Sequence, residues 1–174
     1  MSLLVKGGIT KLSELIIDAD KDWAGKKIDN IGTLALADGE RVKIVKALNT
    51  DHTWSGITAI LTAGAALGLP NACYVGADGK MELADAGGAD SMPVTALCCE
   101  TIAENATGEF LLLGYFRDDD WDWTPGGLIY ASTTTGGLTQ TIPSGTGDQV
   151  QVVGVAITAD IIFFCPCLEL VEIA

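Results

Sequence analysis

From Trp54 onward, short apolar runs alternate with turns built from glycine, serine, threonine and aspartate, and this spacing constrains the fold more than any other feature. Tyr74-Val75 leads into Ala77-Asp78-Gly79-Lys80, after which Met81-Glu82-Leu83 alternates. Asp-Gly between apolar runs predicts a hairpin, because its turn needs positive φ. Residues 110–116 form a continuous apolar run and predict a buried strand. Leu128-Ile129-Tyr130 enters a Ser/Thr/Gly turn at residues 132–137, and residues 138–141 leave it. Residues 150–157 and 161–164 predict two further strands around an Ala159-Asp160 turn. Helix signals are weak here, since β-branched residues and glycine dominate and capping boxes are missing.

The β region repeats itself imperfectly. Residues 70–75, a turn and residues 79–83 resemble residues 125–130, a turn and residues 137–140. Val94-Thr95-Ala96-Leu97-Cys98-Cys99 lies 56 residues before Val150-Gln151-Val152-Val153-Gly154-Val155. Two such copies can close on each other and hide the sheet edges that one copy exposes. The expected fold is mainly β: a small β-barrel or sandwich built from two similar hairpin-containing halves, behind an N-terminal extended or short-helix oligomerisation segment.

Residues 1–53 read differently and hold eight of the ten basic residues. Ile9 to Ile17 suit a short helix, with Leu12, Leu15 and Ile16 at helical spacing and Ser13 near its start. Ile28, Ile31, Leu34 and Leu36 follow, and then Val42, Ile44 and Val45 alternate well enough for short strands. This is too little apolar material for a stable monomeric domain. Ile28, Ile31, Leu34 and Leu36 are therefore the expected oligomer interface. The division is residues 1–53 for attachment and oligomerisation and residues 54–174 for the β domain.

Ten basic against 23 acidic residues argue against nucleic-acid binding and against adhesion to an anionic membrane. A hydrophobic fraction of 48% with 19% charged residues is that of a folded chain. Residues 1–10 lack the pattern of a secretory leader, and the apolar run at residues 57–69 is too short to span a bilayer. A soluble protein made in the cytoplasm is expected. The five cysteines, an odd number, are expected as reduced thiols.

Candidate chemistry is sparse. Asp18-Ala19-Asp20-Lys21-Asp22 begins like a calcium loop, but Trp23 stands where a glycine must turn and Asp29 where a bidentate glutamate belongs. Adjacent Cys98 and Cys99 point to opposite faces of a strand, which does not suit zinc, and Cys165-Pro166-Cys167 is closer than the usual ligand spacing. In a symmetric assembly Cys165 and Cys167 would line a subunit seam. His52, the only histidine, lies in a polar stretch and is expected to face solvent. No nucleophile elbow, P-loop or dinucleotide fingerprint is present. Asp118-Asp119-Asp120-Trp121-Asp122-Trp123 is the most unusual stretch. In an extended chain it sorts Asp118, Asp120 and Asp122 from Asp119, Trp121 and Trp123. Asp118, Asp120, Trp121 and Trp123 are the candidate platform for a glycan or receptor. No catalytic residue, cofactor or metal is expected.

Two stretches resemble bacteriophage virion proteins of the fibre and capsid-decoration kind. Residues 18–32 are similar to the D-x-D-x-G-x-x-I-x-N-x-G segments that open intertwined trimeric β-structure in tail fibres, with Trp23 and Ala24 before the glycine as a departure. Residues 56–172 are similar to small β-domains of head-fibre, tail-fibre and decoration proteins. The similarity is carried by Thr62-Ala63-Gly64, residues 74–80, residues 126–130, residues 136–141 and Gly147-Asp148-Gln149-Val150. Cys165-Pro166-Cys167 departs from the polar residues expected there. The resemblance implies a non-enzymatic homotrimer located in the virion, with itself and other virion proteins as partners. A receptor- or glycan-binding tip and a subunit of an extracellular filament are the alternatives.

Overall fold

The computed structural model describes Asp38, Gly39 and residues 41–174. The expected helix at residues 9–17, the acidic stretch at residues 18–22 and the interface residues Ile28, Ile31, Leu34 and Leu36 lie outside the described residues. One compact unit comprises Val42–Ala174. It is mainly β, with a curled half-barrel sheet. Among the described residues no helix is long and apolar enough to cross a membrane.

Eleven strands make up the unit: β1 (Thr53–Thr62), β2 (Ala72–Val75), β3 (Met81–Leu83), β4 (Ala96–Cys98), β5 (Thr107–Arg117), β6 (Leu128–Ala131), β7 (Leu138–Thr139), β8 (Gln149–Val150), β9 (Val152–Ala156), β10 (Ile161–Phe164) and β11 (Val171–Glu172). Nine belong to one sheet, ordered β3-β2-β4-β5-β10-β9-β6-β7, with β1 on the other side of β5. The small pair β8–β11 is separate. The Asp78-Gly79 hairpin forms as expected: Tyr74 pairs Glu82, Val75 pairs Met81, and Gly79 takes φ +80°. The expected run at residues 150–157 breaks at Gln151 into β8 and β9.

β5 organises the sheet because it is long enough to serve two wings. One edge pairs with β4 at Leu111 and Phe110 and with β10 from Gly114 to Arg117. The other edge pairs with β1 along its whole length. Ile57 pairs Leu113 while Thr58 pairs Leu111, so Leu112 is an extra residue in β5. Such a bulge reverses which alternate residues face inward. Leu111 and Phe116, of opposite parity, therefore both enter the main core, with Leu97, Ile129, Ile162 and Phe164. Phe110 enters a second core with Cys73, Met81 and Cys98, closed by Ala63, Leu67 and Ile102. Burying each large apolar side chain contributes roughly 1.5–3 kcal/mol. Two cores on opposite faces explain why residues 110–116 lack polar alternation.

One expectation is corrected. Val42, Ile44 and Val45 belong to no strand. Alternation supplies a face, but a strand also needs a partner for its backbone groups, and none is present among the described residues.

Candidate functional site

The pairing of β1 with β5 builds the densest polar cluster. Its last rung sets Thr53 against Arg117, so the next residues outward, His52 and Asp118, become neighbours. His52 has φ +52°, uncommon for a residue with a side chain. Its Nδ1 lies 3.4 Å from Asp51 Oδ2 and its Nε2 lies 3.7 Å from Asp118 Oδ1. His52 is exposed, as expected, but its ring also lies between two carboxylates. Asp51 Oδ1 accepts the N–H groups of His52 and Asp119, each at 2.8 Å. The Asp119 N–H is the largest influence holding the Asp51 carboxyl below its ordinary value. Arg117 Nε donates to Asp119 Oδ1 at 2.5 Å, and Arg117 Nη1 donates to the Leu48 carbonyl at 3.0 Å. One ligating atom each from Asp51, His52 and Asp118 fall within 4.8 Å of one another, the spread a cation would need. The imidazole, however, turns a different nitrogen to each carboxylate.

The acidic–aromatic stretch does not run extended. Asp118 Oδ1 accepts the Asp120 N–H at 2.9 Å, and the Asp118 carbonyl accepts the Trp121 N–H at 3.3 Å. That turn separates residues that an extended chain would put on one face: Asp118 is 4% exposed, whereas Asp120 is exposed. Trp121 and Trp123 are half-buried and pack against the main core. They continue a ladder in which Trp54 stacks on Phe116 at 6.0 Å and Phe116 meets Trp121 at 5.9 Å. Trp121 and Trp123 are 5.5 Å apart and tilted by 51°, so their faces do not form one flat platform. Trp123 Nε1 is enclosed without an acceptor among the described residues.

A groove of about 240 Å3 lies elsewhere, with Ser132, Thr139, Thr141, Ile142, Ser144 and Asp148 among its lining residues. It is smaller than the usual range for drug-sized ligands. Asp148 also serves its own turn, accepting the Gly145 N–H at 2.7 Å.

All five cysteines are free thiols, with Cys73, Cys98 and Cys99 buried and Cys165 and Cys167 exposed. Burial raises the Cys73 and Cys98 thiols and pushes Cys99 up to about 12. Thiolate is the reactive form, so the buried three are doubly protected. Maleimide labelling followed by intact-mass measurement should give two labels per native chain and five after unfolding. Native labelling of Cys73 at the rate of Cys165 would contradict this packing.

The feature most open to a macromolecular partner carries little signal in the sequence. β1 forms an outer strand of the sheet, with Ile57 and Ile60 exposed by 55% and 68%. Gly56 and Thr58 interrupt its apolar pattern, so periodicity alone gives no strand signal. Compared with protein-family models and with curated protein sequences, the chain has no match.

Proposed function

We propose that this chain is a non-enzymatic structural subunit of a bacteriophage virion, a fibre, spike or capsid-decoration protein that assembles as a homotrimer. Residues 1–53 serve attachment and oligomerisation, and residues 54–174 form the displayed β domain. The observation that carries the reading is the outer strand β1, whose apolar side chains Ile57 and Ile60 remain exposed on an otherwise acidic domain. Val42–Ala174 contains four basic and sixteen acidic residues. Such a surface keeps a domain soluble at high local copy number. An exposed apolar strand within it favours a specific protein contact.

The strand order also supports a fold built from two related halves. The path β3-β2-β4-β5 and the path β7-β6-β9-β10 each run from a hairpin through one strand to a second, and they meet where β5 pairs with β10. β2, β3 and β4 of the first path and β6, β7 and β9 of the second contain the segments whose sequences resemble each other. The virion assignment rests on the resemblance of residues 18–32 and 56–172 to fibre and decoration proteins.

Light scattering coupled to size exclusion on the full chain tests the assembly, with a mass of three chains expected. A single-chain mass over the accessible concentration range defeats the proposal. Open polymers in micrographs would favour the filament subunit instead.

A further inference from the structure

We propose that the outer edge of β1 receives residues 42–48 of a second copy of this chain as an added strand. The inference rests on the assembly reading above and gives it a specific contact.

The first observation is the edge. β5 occupies one side of β1, and among the described residues no backbone hydrogen bond is made by the other side. Thr53–Thr62 contains no charged residue and no proline, and none of its ten residues is buried. Proteins usually blunt a long edge with lysine, proline or an edge bulge. Here the bulged residue, Leu112, is on β5, and the edge itself stays regular. It is a template for strand addition.

The second observation is the arm. Residues 42–48 (Val-Lys-Ile-Val-Lys-Ala-Leu) have strand-forming side chains but no ladder. Val42 and Val45 are exposed by 67% and 52%. Only the short turn at residues 49–52 separates the arm from β1, so a hairpin within one copy would be the simplest pairing. It does not form. Val45 N–H donates instead to Ser55 Oγ at 2.9 Å, and Arg117 holds the Leu48 carbonyl at 3.0 Å. The Leu48 N–H turns back to the Lys46 carbonyl at 2.9 Å, which departs from a strand. Edge and arm thus lie close in sequence and share one side-chain hydrogen bond, but no backbone ladder joins them.

The third observation is charge. Lys80 pairs with Asp78, and Arg117 with Asp119 and Asp160. Lys43 and Lys46, the other two cations of Val42–Ala174, form no ion pair among the described residues. Beside the edge, Glu109 on β5 is the register partner of Ile60. An arm carrying two lysines is therefore complementary to the acidic body of another copy. Arm into edge is a head-to-tail contact, which closes into a ring at three copies if the rotation permits.

The test uses full-length chain in two variants. Ile57→Lys/Ile60→Lys blocks the edge with charge, and Val42→Asp/Val45→Asp replaces the arm's two exposed valines and cancels the charge of its two lysines. All four positions are more than half exposed, so the fold should survive; circular dichroism and thermal melting check this. Each variant alone should associate at least tenfold more weakly than the parent and run as a single chain. An equimolar mixture should yield a two-chain species, because one intact arm and one intact edge remain. If either variant keeps the three-chain mass, or if the mixture stays single, the inference is overturned while the assembly reading stands. A parent chain that is itself monomeric overturns both. Should the double edge variant lose its fold, Ile60→Lys alone carries the same test.

Discussion

Gly114→Ala is expected to destabilise the β domain by about 4 kcal/mol and to lower its melting temperature by roughly 10 °C or more. Gly114 sits where β5 is gripped from both sides, paired with Gly56 of β1 and with Phe164 of β10. Its φ is +150°, which side chains rarely adopt. A Cβ there would run into the Ser55 carbonyl oxygen and come within 2.6 Å of Gly56 Cα. Both obstacles are backbone, so neither can rotate away. Relief requires β1 and β5 to separate, which would loosen the stacking of Trp54 on Phe116 one rung pair further along. Gly79→Ala provides the control. Gly79 also has positive φ, at +80°, but nothing lies within 4 Å of its would-be Cβ. Only backbone strain applies there, and about 1 kcal/mol is expected. Urea denaturation of both variants measures the contrast. Equal small losses would show that β1 and β5 are not packed backbone to backbone.

Gly79 and Gly56 mark where the fold is legible in sequence and where it is not. The turn at Asp78-Gly79 announces itself because both its causes, positive φ and flanking alternation, are local. Residues 110–116 are equally readable, since a strand buried on both faces has no polar side to interrupt it. Gly56 carries the opposite message. In sequence it breaks an apolar run and weakens the signal for β1. In the fold it lets β1 approach Gly114, and the need for it exists only once the partner strand is known. The bulge at Leu112 is hidden for the same reason, because it is a property of the pairing.

The polar cluster follows this rule. Asp118, Asp119, Asp120 and Asp122 are alike in composition, and nothing local distinguishes the one that is buried. Asp118 is selected because it follows the last rung of β5, where the register brings His52 against it and the chain turns. Trp121 and Trp123 were recognisable as unusual, but whether they face solvent or the core depends on that turn. The exposed outer strand could have been found from Thr53–Thr62 only by noticing what it lacks, a lysine or a proline, and that absence has meaning only for a strand already known to lie on an edge.

Gln151→Leu should cost about 3 kcal/mol, although it exchanges one buried side chain for another of similar size. Gln151 is 1% exposed and sits between β8 and β9, where the expected continuous strand breaks. Its Oε1 accepts the Val94 N–H at 2.7 Å, and its Nε2 donates to the Val94 carbonyl at 2.9 Å and the Cys167 carbonyl at 2.6 Å. One amide thus replaces a missing piece of ladder and ties together three segments distant in sequence: the chain before β4, the start of β9 and the C-terminal stretch. Leucine fills the volume but leaves one N–H and two carbonyls without this partner, and each buried unpaired group costs roughly 1–3 kcal/mol. Gln151→Glu separates bonding from shape. It keeps the acceptor for the Val94 N–H but directs a carboxylate at two carbonyl oxygens, with no cation to offset its burial among the ion pairs of the described residues. At neutral pH Gln151→Glu should therefore be the more damaging of the two in urea denaturation, despite being the more conservative change on paper. If glutamate is tolerated better than leucine, polarity alone accounts for position 151 and the donated bonds to Val94 and Cys167 do not hold these segments together.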